Sequence, residues 1–219
     1  MNFFAHLWVA RRRSREPSFL LGAMLPDFAS MCGARLGKAT HAGLAHGIEE
    51  HHRTDDAFHA GPTFLAICRE AGARLEDAGL GWGAARAVAH VGTELLLDGE
   101  LAAEGEGVED YLVAIAEADV HRAGPHLPFR DATGYARFRD LHGRLCRHGA
   151  PVRYRETAFV AEILVRILAS RPRLAVDPAR RPALEAELVR LQAHVQRARD
   201  ALVGETLSAL AKGYEPSTK

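Results

Sequence analysis

RPALEAELVRLQAHVQRARDAL, residues 181–202, spaces Leu184, Leu188, Leu191, Val195, Ala198 and Leu202 by four, three, four, three and four. That spacing keeps every apolar side chain on one face of a 3.6-residue helix, whereas a strand would need a period of two. Pro182 falls in the first turn and Gly213 beyond the last, the usual polarity of helix punctuation. The stripe reads as core or as the seam with another helix. A second helix is expected from Glu156 to Ser170, with Phe159, Val160, Ile163, Leu164, Ile167 and Leu168 on one broad face and a stop before Pro172.

Outward from these, apolar residues recur at helical spacing over 3–12, 18–31, 41–57, 62–77, 83–102, 108–123 and 133–148. Gly61-Pro62, Gly79 to Gly83, Gly105 to Gly107 and Gly124-Pro125 supply the breaks. No segment alternates apolar and polar residues cleanly over four or more positions rich in β-branched types. The expectation is an all-α, single-domain helical bundle of eight or nine helices over residues 1–219.

A chain of 219 residues that is 47% hydrophobic and 26% charged has an ordinary globular composition, which excludes disorder and collagen-like repetition. Its 28 basic and 28 acidic side chains cancel, which does not favour a dedicated nucleic-acid or membrane-surface binder. Cys32, Cys68 and Cys146 are an odd number with no CxxC pair, so a reducing cytoplasm is the expected compartment. The apolar run Phe3 to Ala10 is interrupted by His6 and followed, not preceded, by Arg11-Arg12-Arg13, the wrong order for a secretory signal.

Seven of the twelve histidines, His6, His41, His46, His51, His52, His59 and His90, lie in the first ninety residues, interleaved with Asp27, Asp55 and Asp56 and followed by Glu94. On a helix, positions four apart share a face, so His51 with Asp55, Asp55 with His59, and His90 with Glu94 each set an imidazole beside a carboxylate. Such a pair is either a solvent-facing charge pair or part of a chelate. His6 in FFAHLWV, Asp27 in MLPDF, and His90 and Glu94 in AVAHVGTELLL sit among apolar neighbours, where polar groups need partners to offset desolvation. One shared interior site is therefore expected. Mixed imidazole and carboxylate donors from several helices suit a divalent ion such as Mn, Fe, Mg or Zn. GxSxG, P-loop and GxGxxG motifs are absent, so hydrolytic chemistry here would be metal-assisted.

MNFFAHL at the start, LGAMLPDF at 21–28, Gly47-Ile48 leading to His51, Arg53 and Asp55, then Tyr154-Arg155 and ASRPRL at 169–174 together resemble the acyl carrier protein phosphodiesterase family. The resemblance runs in order over most of the chain. It implies a divergent relative of the HD phosphohydrolases, all-helical and metal-dependent, with manganese the usual metal. The implied reaction releases 4′-phosphopantetheine from holo acyl carrier protein by cleaving the phosphodiester to its serine. His6, Asp27, His51 and Asp55 match the family's polar positions. Where the family has an Asp and, four residues on, an Asp-His doublet, this chain has His90 and Glu94-Leu95; Glu49 replaces the first histidine of the family's His-x-His.

The resulting expectation is that His6, Asp27, His51, His90 and Glu94 hold one or two divalent ions, with Asp55 orienting a water or completing the shell. Arg53 would contact phosphate, or else pair with Glu49 or Glu50. Alternatives are a non-catalytic metal-binding protein of the same fold and a hydrolase of another small phosphoester. Residues 120–173 carry eleven arginines against four acids, a surplus of seven, and would either be balanced by acids packed against them or dock an acidic partner such as acyl carrier protein.

Overall fold

The computed structural model describes residues 1–120 and 127–213. Arg122 and the Gly124-Pro125 break lie outside the described residues. Nine α-helices account for nearly all the regular structure among those residues: α1 (Phe3–Ala10), α2 (Pro17–Met31), α3 (Ala42–His59), α4 (Pro62–Asp77), α5 (Trp82–Ala103), α6 (Val108–Val120), α7 (Ala132–His148), α8 (Thr157–Leu168) and α9 (Arg181–Ala211). Short 3-10 turns occupy Val152–Arg155 and Pro178–Arg180, and the lone β feature is an isolated bridge between Leu36 and Phe129. The all-α expectation holds. No helix among the described residues is long and apolar enough to cross a membrane.

Most helix limits match the sequence pattern to within two residues. The first helix stops at Ala10 instead of running to residue 12, because the amides of Arg12 and Arg13 close back three residues to Val9 and Ala10. Arg11 is held there by Glu106 and Asp110. The eighth helix ends at Leu168, two residues early, and the Ser170 hydroxyl donates to the Ile167 carbonyl beyond it.

Two compact units divide the described residues: one draws on Met1–Asp56 and Glu104–Pro151, the other on Ala57–Ala103 and Val152–Lys212. The boundary falls within α3, which gives residues 42–56 to the first and 57–59 to the second.

In the first unit α2 packs against α1, α6 and α7. Its core is aromatic: the Phe3 ring lies 5.3 Å from Phe28 and 6.0 Å from Tyr111, and Phe28 in turn meets Phe138. Helices α2 and α3 meet through glycine. A Cβ at Gly22 would stand 2.5 Å from the Leu44 carbonyl oxygen, and one at Gly47 would collide with the Phe19 carbonyl. This crossing of two glycines lets the backbones touch, and it sets His51 one turn beyond the contact.

In the second unit α5 packs against α4, α8 and α9. Leu184, Leu188, Leu191, Val195 and Leu202, five of the six stripe residues, are buried there. Gly92 of α5 receives Leu188 and Leu191, whose methyls would lie 3.4 and 3.3 Å from an added Cβ. Buried Glu187 is neutralised by Arg74 at 2.6 Å, and Glu205 takes both the amide and the hydroxyl of Thr63 at the start of α4.

Candidate metal centres

Three helices of the first unit bring His6, Asp27 and His51 together, one donor atom from each within 4.8 Å of the others. His6 comes from the middle of α1, a helix buried on every side. Asp27 follows Pro26 inside α2, and His51 is placed by the glycine crossing of α2 and α3. The His6 and His51 rings stack with centroids 3.8 Å apart and planes 30° from parallel. His6 Nε2 faces Asp27 Oδ2 at 3.9 Å and Asp55 Oδ1 at 3.4 Å.

The tautomer of His51 follows from its hydrogen bond. Its Nδ1–H donates to the Ala23 carbonyl at 2.9 Å, so the lone pair is left on Nε2. Burial, with the His6 ring beside it, lowers the His51 pKa to about 2, which keeps the imidazole neutral and able to act as a ligand at any ordinary pH. Donors sharing an ion at roughly 2.0–2.2 Å stand about 3–4.4 Å apart, and the 3.9 Å between His6 and Asp27 lies inside that window. Two imidazoles with one carboxylate suit Mn, Fe or Zn better than Mg, which prefers an all-oxygen shell.

Asp55 stands at the edge of this group. Its Oδ1 accepts from the Met1 ammonium at 3.0 Å, and the side chain is 34% exposed. Arg53 pairs with Glu50 at 3.1 Å, and Glu50 also receives Arg13 at 2.7 Å.

His90 and Glu94 belong to a different group. In the second unit they gather with His59, again with donor atoms within 4.8 Å of one another. Glu94 Oε1 accepts from His59 Nε2 at 2.8 Å and lies 3.2 Å from His90 Nε2. Each of these two triads has two imidazoles and one carboxylate. His90 also departs from its expected burial, with a side chain 45% exposed. An Ala-rich helix looks apolar all round, but α5 presents Gly92 to α9, and His90, two residues away, points roughly 160° from it at 100° per residue.

His59 was legible only as the i+4 neighbour of Asp55. It is the last residue of α3, and its partner Glu94 lies 35 residues further along, a pairing that no local spacing signals.

The arginine-rich stretch is also divided. Arg137, Arg139, Arg144 and Arg147 lie exposed on α7 in the first unit, where Arg137 donates to the Gly33 carbonyl at 2.6 Å. In the second unit Arg153 pairs with Glu156 and Arg155 with Glu100. Compared with protein-family models, with curated proteins and with solved structures, the chain matches none.

Proposed function

We propose that the chain is a metal-dependent phosphodiester hydrolase whose centre is the His6–Asp27–His51 triad, with holo acyl carrier protein as its substrate. The observation that carries this reading is the convergence of these three donors from three helices, with His51 pre-set by the Ala23 carbonyl to offer Nε2. The resemblance of the MNFFAHL, LGAMLPDF and Gly47-to-Asp55 blocks to acyl carrier protein phosphodiesterases supports the same reading, and with it an HD-like classification and manganese as the ion. When bound, a divalent ion would polarise a phosphoryl oxygen and acidify a water.

The residues do the rest. His6 and His51 are neutral donors in this role, so one carboxylate leaves residual positive charge to attract a phosphodiester anion. The Asp55 carboxylate, reached by solvent and fixed by the Met1 ammonium, takes the proton of the attacking water. Water adds to phosphorus, the bond from phosphorus to the serine oxygen breaks, the proton taken up by Asp55 passes to that oxygen, and apo carrier protein and 4′-phosphopantetheine leave. Arg139, Arg144 and Arg147 on α7, in the same unit as the triad, would steer an acidic carrier protein.

Chelator-stripped protein should hydrolyse neither bis-p-nitrophenyl phosphate nor holo carrier protein, and Mn²⁺ should restore both. Reversing Arg144 and Arg147 to Glu should raise the KM for carrier protein severalfold and leave the small diester unchanged. Metal binding with no turnover of either substrate would favour a non-catalytic metal protein; turnover of the small diester alone would mean another phosphoester is the substrate.

A further inference from the structure

We propose that His59, His90 and Glu94 form a second divalent-cation site, with two imidazoles and one carboxylate, in the second unit. Both ring nitrogens approach the same oxygen, Glu94 Oε1, at 2.8 and 3.2 Å. A simple ion pair needs one imidazole, so two converging on one carboxylate oxygen exceed that need. The rings stack at 4.7 Å with planes 26° apart, and the edge of Phe64 packs against both at 5.1 Å. That packing limits ring rotation and holds the Nε2 atoms on one side.

Glu94 is mostly covered, with a side chain 12% exposed. A tetrahedral ion with bonds of roughly 2.0–2.1 Å would separate its donors by about 3.3 Å, so the two observed spacings need to open only slightly. Three protein donors leave a coordination position open, the pattern of a reactive site more than of a purely structural one. The ion class is a borderline first-row cation, with Zn²⁺ the probe of choice.

This site does not rest on the hydrolase reading, because its donors differ and metal content reads it directly. The experiment strips the full chain with chelator, re-equilibrates it with Zn²⁺, removes excess by gel filtration and counts metal by mass spectrometry. The parent should hold two equivalents, His90→Ala one, His51→Ala one, and the double variant none. His90 is the first choice because its partly exposed ring can be removed with little disturbance; Glu94→Gln, which keeps side-chain shape, serves if His90→Ala melts early. Two equivalents retained in both His90→Ala and Glu94→Gln, or one equivalent in the parent that vanishes with His51→Ala, would overturn the second site and leave the triad as a metal-free hydrogen-bonded pair of imidazoles.

Discussion

His51→Ala is expected to cut metal-dependent phosphodiester hydrolysis more than about 100-fold, beyond what loss of a mere supporting partner around a metal costs. Three features converge on this residue. Its Nε2 is left as the lone pair by the hydrogen bond to Ala23, burial keeps it neutral, and its ring lies against His6. The protein should remain folded, because alanine is the better helix former; the lost ring contacts should cost about 1–3 kcal/mol. His52→Ala is the control: it changes the neighbouring, exposed histidine and should leave turnover unaltered. The rates, with Mn²⁺ titrated to saturation, decide between a direct ligand and a supporting residue. Full activity of His51→Ala at saturating metal would remove it from the centre.

Gly47→Ala should lower stability by about 3 kcal/mol, a fall of roughly 6–12 °C in Tm for a chain of this size. The new methyl would meet the Phe19 carbonyl and, at 2.8 Å, the Ala23 amide nitrogen, both backbone atoms that no side-chain rotation can clear. The helices would have to part, and His51 would move with α3 away from the Ala23 carbonyl. Metal affinity should therefore fall along with Tm. Gly204→Ala, in α9 with nothing within 4 Å of the added methyl, should instead be neutral or raise stability by up to about 1 kcal/mol. Thermal melts of the two variants side by side make the comparison, and equal melting temperatures would show that the α2–α3 crossing tolerates a wider separation.

The helices were legible because their apolar spacing and their Gly and Pro punctuation are local properties. Gly61-Pro62 marks the passage from α3 to α4, Gly79 and Gly81 lie between α4 and α5, and Gly105 to Gly107 precedes α6. His6 and Asp27 stood out as polar residues in apolar runs, and His51 through its four-residue spacing to Asp55. What could not be read was the exposure of His90, whose side chain is 45% exposed although it lies in an apolar run. The face that α5 turns to its neighbours is chosen by Gly92 against Leu188 and Leu191, contacts about 100 residues apart in sequence. His59 is subject to the same limit. Its nearest carboxylate along the helix is Asp55, whereas its hydrogen bond goes to Glu94 on another helix. Arg53 shows the reverse case, since the local pairing with Glu50 was one of its two readable outcomes and is the one the structure displays.

Anomalous X-ray diffraction from crystals of the full chain equilibrated with Mn²⁺ would locate the ion itself. A manganese peak should stand bonded to His6, Asp27 and His51 at roughly 2.0–2.2 Å, with His51 Nδ1 still donating to the Ala23 carbonyl. No peak at that position under saturating Mn²⁺, with His51 Nε2 instead hydrogen-bonded to protein, would contradict it.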